Sequence, residues 1–304
     1  MAARTPAPPL LTFAAAWGLL VQTAKSWLSD YAPSMGAALA YYTLFSLAPL
    51  MLIVIAVAGL LFGEDAARGE IATQLRALMG DGGARAVQDL LASVRQPTEG
   101  SLATALGVVL LFFGATTVFA ELQDALDRIW RVPLRQRASG WLSLVRARLL
   151  SFGMILAIGF LLMVSLVFSA ALATVGRLAE PVFGAWYVLA TITNSAVAFA
   201  MVATMFALIY KVMPRARVEW KDVWIGALFT AMLFGFGKFL IGLYIGRSGI
   251  VTGFGAAGSL VVILLWVYYS AQIFLIGAEF TWAYANTYGS RRNVGGQPNG
   301  PVLA

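Results

Sequence analysis

The chain has 304 residues and contains neither cysteine nor histidine. Without cysteine there is no disulfide and no thiolate metal site. Without histidine the commonest general base and the commonest metal ligand are both missing. Charge is scarce too: 12% of the residues are charged, where soluble domains carry about 25%. No glycine-rich phosphate loop ends in Lys-Ser/Thr, and no nucleophile stands beside a base. The chain therefore reads as a protein without cofactor or metal, and not as an enzyme.

What it has is apolar length, with 60% hydrophobic residues. A spanning helix needs about 20 apolar residues. Five stretches exceed or approach that without a charge: Tyr31–Gly63, Leu102–Ala120, Leu149–Val175, Gly184–Tyr210 and Ser248–Ala278. A sixth, Val223–Gly246, holds only Lys238. The runs are too long and uniform for the alternating strands of a barrel. The expectation is an all-α membrane protein, a bundle of about six transmembrane helices. The spans fall near 36–62, 102–121, 148–176, 184–210, 222–246 and 257–285. Residues 1–30 form an N-terminal interfacial helix and 31–286 the transmembrane domain. Residues 287–304, rich in Gly, Asn and Pro, form a disordered tail.

Loop charge sets the orientation. The N-terminal segment, the second and fourth loops and the tail hold 14 Lys and Arg against six in the other loops. The positive-inside bias then puts both termini in the cytoplasm of a bacterial inner membrane. That bias also accounts for the net charge of +7, so nucleic acid is not an expected partner. The segment Leu10–Leu28 carries Leu10, Phe13, Trp17, Leu20, Ala24 and Trp27 on one side, as a helix lying on a membrane surface does. A cleaved signal peptide is the competing reading. It fits worse, because the pattern runs past any cleavage site. Segment 64–101 predicts an outer amphipathic helix pair, a periplasmic cap. Ile71, Leu75, Leu78 and Met79 lie on one face and Val87, Leu90, Leu91 and Val94 on another, with a turn at Asp81-Gly82-Gly83.

Polar residues inside spans are costly and become site candidates. Lys238 lies in the outer third of the fifth span. Glu121 and Glu279 lie near inner helix ends, as a carboxylate pair or each beside an arginine of the basic loops. Tyr269, Gln272 and Glu279 share one face of the last span, Asn194 lies mid-membrane, and Ser46 lies beside Pro49, which frees a carbonyl. With Tyr41 and Tyr42 these are the candidates for a substrate path; the bland alternative is hydrogen-bonded glue between helices. Gly242 and Gly246 form a small-xxx-small pair for close helix packing. Gly249, Gly253 and Gly255 read as an outer hairpin or gate. Asp124 with Arg128 and Asp127 with Arg131 are spaced as i,i+4 pairs.

Several ordered stretches resemble the YihY/BrkB family of bacterial inner-membrane proteins, once labelled ribonuclease BN. They are Ala40-Tyr-Tyr-Thr-Leu-Phe-Ser-Leu-Ala-Pro49, Phe119-Ala-Glu-Leu-Gln-Asp-Ala-Leu-Asp-Arg-Ile-Trp130, Trp220-Lys-Asp-Val-Trp224 and the long run from Gly237 to Phe280. The resemblance implies six helices and a role in envelope integrity or serum resistance. It carries no settled activity, and the ribonuclease label suits a chain without His or Cys poorly. The functional expectation is a transporter or flippase of a lipid, an amphiphile or a small solute. The alternative is a scaffold docking an envelope protein partner. Membrane lipids and further copies of the chain are the remaining expected partners.

Overall fold

The computed structural model describes residues 12–94, 117–133, 186–247 and 258–292, with Gly153, Gly159 and Phe160 between them. Every regular element among the described residues is helical. In chain order these are α1 (Phe13–Ser29), α2 (Ala32–Phe62), α3 (Glu64–Val94), α4 (117–129), α5 (Trp186–Val212), α6 (Trp220–Arg247) and α7 (Gly258–Thr287). Four expected spans coincide with α2, α5, α6 and α7. The expected spans at 102–121 (up to residue 116) and 148–176 lie outside the described residues, apart from three isolated positions. Ile192–Val212, Trp220–Tyr244 and Leu260–Thr287 are long and apolar enough to cross a membrane. Their most apolar stretches are only 22%, 33% and 39% buried, so most of their apolar surface faces outward, where a bilayer would cover it. α2 spans 31 residues without a charge.

One core joins α5, α6 and α7. Ala203, Phe206 and Ala207 of α5 pack with Val223, Ala227 and Ala231 of α6 and Phe274, Leu275 and Ala278 of α7. In its centre the Tyr210 hydroxyl donates to the Phe274 carbonyl (2.8 Å) and meets Thr230 Oγ1 at 3.0 Å. A phenol needs a polar partner when it is fully buried, and here it finds two on different helices. The helices touch through a reciprocal contact. A Cβ on Gly277 would run into Thr230 and Tyr210, and one on Gly226 would run into Thr281. Each threonine donates back to its own helix, Thr230 to the Gly226 carbonyl and Thr281 to the Gly277 carbonyl, both at 2.7 Å.

Of the expected Gly242–Gly246 pair, the surroundings of Gly242 alone are described. A Cβ on Gly242 would meet nothing within 4 Å among the described residues. The inward face of α6 is set by Gly226, Thr230, Gly237 and Ile241, and Gly242 stands one step round from it. The small-xxx-small spacing operates at Gly226–Thr230 and Gly277–Thr281. Gly246 belongs to the last turn of α6, while Gly249, Gly253 and Gly255 lie outside the described residues.

Segment 64–94 is helical throughout, where two helices separated by a turn were expected. Residues 71 and 91 of a straight helix would lie about 30 Å apart. Yet Arg68, Ile71 and Leu75 line one cavity together with Gln88 and Leu91. The two arms are therefore folded against each other, with the reversal between them around 76–87. Leu75, Ala84, Ala86 and Val87 pack with Ile263 of α7 and with Leu44, Leu47 and Met51 of α2. That burial keeps the glycine-bearing reversal compact although each helical glycine costs about 1 kcal/mol. α3 thus packs into the flank of the bundle.

α1 is helical from Phe13, with Thr12 as its cap. Leu19, Thr23 and Ser26 face the bundle, while Phe13, Trp17 and Leu20 are exposed. The N-terminal part of the expected apolar stripe, at Phe13, Trp17 and Leu20, points away from the protein, as a helix resting on a membrane surface requires, whereas Trp27 packs against the core and Leu10 lies outside the described residues.

Candidate functional site

Four chain segments gather at one end of the bundle, and two of them turn sharply there. α1 ends at Asp30, and Tyr31 then turns the chain into α2 with φ +58°. α4 ends in a Schellman turn. The Val132 N–H donates to the Asp127 carbonyl (2.9 Å) and the Arg131 N–H to the Arg128 carbonyl (3.0 Å). Arg131 occupies the left-handed position, φ +52°, where glycine is usual. Tyr31 and Arg131 are the only non-glycine residues with positive φ among the described residues. Such a conformation costs roughly 1–2 kcal/mol. Both occur beside the same carboxyl group.

That group is Glu279, fully buried on α7; no N–H donor reaches either carboxylate oxygen among the described residues, and the contact it does make is with the Asp30 carboxyl. The charges acting on it are the Asp30 carboxyl and the Arg131 guanidinium. Asp30 Oδ2 is itself buried and accepts no N–H among the described residues, and the indole N–H of Trp27 finds no acceptor among them. Arg131 lies over the Trp282 ring, 4.1 Å from its centre. Two acids thus face each other, Glu279 buried and Asp30 half-buried, with one arginine nearby, held by an aromatic ring. A buried carboxyl without a matched partner is expensive, and it becomes cheaper by binding a proton or a cation. Among the described residues no group of three or more acids is placed to hold a metal ion.

Next to this pair the loop after α5 docks on α4. The buried Asp127 accepts the Arg215 backbone N–H through Oδ1 and its guanidinium through Oδ2, both at 2.8 Å. Gln123 donates to the Met213 carbonyl (2.9 Å). The stretch after α7 closes over both. Arg291 donates to the Arg217 carbonyl (3.0 Å) and stands 5.1 Å above the Trp130 ring. Asp222, at the start of α6, accepts the Ser290 hydroxyl (2.6 Å) and backbone N–H (3.1 Å). The second loop, the fourth loop, the end of α1 and the stretch after α7 therefore meet at one end, as the loop charges imply.

The sequence candidates divide. Glu279 and Gln272 are on the inward face of α7, and Gln272 Nε2 packs on Gly36 and reaches the Pro33 carbonyl at 3.5 Å. Tyr269 is half-buried against Gly237. Ser46 is buried and donates to the Tyr42 carbonyl. Glu121, half-buried on α4, is acted on by Asp124 and Arg128. It is not brought to Glu279; the acid there is Asp30. α2 runs through Pro49 as a helix. Tyr41, Tyr42, Asn194 and Lys238 are exposed and do not line an interior path among the described residues. Helical phase explains the last two: Lys238 follows the inward Gly237 by one residue, and Asn194 precedes the inward Ala203 by nine, half a turn round. Sequence reading missed Asp30, Arg131, Arg215 and Arg291. Their one signal was an acid or arginine at a helix end, which loop composition alone explained.

The family model described as virulence factor BrkB matches residues 23–299. A UPF0761 membrane protein of Pseudomonas paraeruginosa is 31% identical over 259 residues, 84% of this chain and 60% of its own length. One from Verminephrobacter eiseniae is 28% identical over 271 residues, 87% and 62%. One from Ralstonia nicotianae is 30% identical over 257 residues, 82% and 54%. The chain thus spans a little over half the length of these relatives. No solved structure matches it.

Proposed function

The chain belongs to the virulence factor BrkB family of membrane proteins, and from that premise we propose a non-enzymatic transporter or flippase of the bacterial inner membrane. It moves a lipid, another amphiphile or a small solute, and Asp30 and Glu279 take up and release the coupling proton or cation. The observation that carries this reading is Glu279, buried on an apolar helix with no N–H or O–H donor of another side chain or backbone group on it among the described residues, and in hydrogen-bonding reach of a second acid, Asp30. A permanent scaffold gains nothing from a group that is costly in one charge state. A carrier that alternates between two states gains a switch. The site end, with α1 and the arginine-bearing loops, lies on the cytoplasmic side in this reading. A scaffold docking partners through segment 64–101 fits less well, because apolar residues of α3 are buried against α2 and α7.

The test uses a strain lacking the gene and sensitive to envelope stress. Glu279→Gln and Asp30→Asn should each fail to restore resistance at unchanged protein level, while Glu279→Asp restores part of it. The cysteine-free chain also permits a single cysteine at position 272. A membrane-impermeant thiol reagent should label it, at a rate that changes with pH. Full rescue by both neutral variants would sink the proposal.

A further inference from the structure

Beside the carboxyl pair is a cavity of about 520 Å³ that no sequence motif announces. Trp130, Arg131, Arg215, Arg217 and Arg291 are among the residues that line it. The arginines come from three separate segments: the end of α4, the loop after α5 and the stretch after α7. Of the four guanidinium groups, Arg215 is neutralised by Asp127 at 2.8 Å. Arg131 lies over the Trp282 ring and Arg291 over the Trp130 ring, and a ring contact leaves the N–H edge of a guanidinium available. Arg217 is exposed. The cavity lining therefore carries an excess of positive charge. Trp130 adds an indole N–H that is buried without an acceptor among the described residues. A donor in that state calls for an acceptor, and every polar side chain that lines the cavity is a donor.

We propose that this cavity is an anion site for a phosphate-bearing group, either a phospholipid headgroup or a soluble phosphate, held by Arg131, Arg217, Arg291 and the Trp130 indole. Planar guanidinium forks suit phosphate oxygens, and the three around this concavity that no acid at hydrogen-bond distance neutralises among the described residues repel each other until an anion enters. Asp127 keeps Arg215 in place and so shapes the wall. Arg131 also acts on Glu279, so an anion that draws on Arg131 weakens its hold on that carboxyl. Occupancy is thereby linked to the charge of the pair. The site itself does not depend on the transport reading.

The test is equilibrium binding to the purified full chain. In detergent the probe is radiolabelled inorganic phosphate; in nanodiscs it is phosphatidic acid diluted into phosphatidylcholine. Arg217→Gln combined with Arg291→Gln should weaken binding at least tenfold. Arg76→Gln, a salt-bridged surface arginine on α3, should leave it unchanged. Binding of phosphate in detergent identifies a soluble ligand, and binding in phosphatidic acid nanodiscs alone identifies a lipid headgroup. Arg217→Gln by itself alters only an exposed side chain and should weaken binding severalfold, which covers the case of a misfolded double variant. Absence of binding in both settings, or equal loss with Arg76→Gln, overturns the proposal. No transport is measured, so a failure here leaves the carboxyl-pair reading standing, and the reverse also holds.

Discussion

Removing the acid that ties α4 to the loop after α5 should show how firmly the charged end is built. Asp127 is fully buried and meets the Arg215 guanidinium at 2.8 Å. Coulomb attraction at that distance is about 6 kcal/mol at an effective dielectric constant of 20. Desolvation of both ions offsets much of it, and breaking a buried pair from one side costs about 3–5 kcal/mol. The Arg215 side chain is 27% exposed, so a widowed guanidinium regains some water. Asp127→Ala should therefore cost about 3 kcal/mol. Asp127→Asn keeps an oxygen for the Arg215 backbone N–H and should cost about 1 kcal/mol less. A double-mutant cycle with Arg215→Ala should return a coupling of about 2 kcal/mol. The assay is unfolding of the full chain in mixed detergent micelles, followed by tryptophan fluorescence. Equal losses for the Ala and Asn variants, with a coupling below about 0.5 kcal/mol, would refute the reasoning, since the contact would then be a surface ion pair of little consequence.

Other expectations follow from the same geometry. Glu279→Gln should abolish rescue of envelope resistance while unfolding no earlier than the parent, because it keeps the shape of the buried carboxyl and removes its capacity to ionise; a large loss of stability would mark Glu279 as a structural anchor. Gly277→Ala should destabilise by about 1–3 kcal/mol through its clash with Thr230 and Tyr210, whereas Gly242→Ala should be neutral or stabilise by up to about 1 kcal/mol, measured in the same unfolding assay. Arg131→Gly should be about 1 kcal/mol more stable than Arg131→Ala, since glycine suits the left-handed turn; equal stability would mean that the turn relaxes.

Much of the architecture was legible from apolar run length, because a bilayer imposes the length of a span more strictly than packing does. The loops that share an end were legible too, from arginine bias. The faces were less so. Lys238 and Asn194 stand out in composition, but which side of a helix they occupy depends on which residues fill the core, and nearly every residue around them is apolar. Gly242 and Gly246 looked like a packing motif, yet the same spacing at Gly226–Thr230 was hidden because threonine does not advertise itself as small. Asp30 was invisible as a partner for Glu279 since some 250 residues separate them. The turn at Arg131 gave no sign at all, because the glycine that marks such turns is absent.

The Asp127–Arg215 contact also sets a clock. The two residues are 88 apart in the chain, which at 5–20 residues per second is roughly 4–18 s of synthesis. Throughout that interval Asp127 is in the membrane-proximal chain with its partner still unmade. Ser290 and Arg291 close the same end only later, after the last helix has been made. The charged end of this protein is thus among the last parts to be completed during translation. A ribosome stalled between α4 and α5 would leave an acid at the membrane with no arginine from that later loop to meet it.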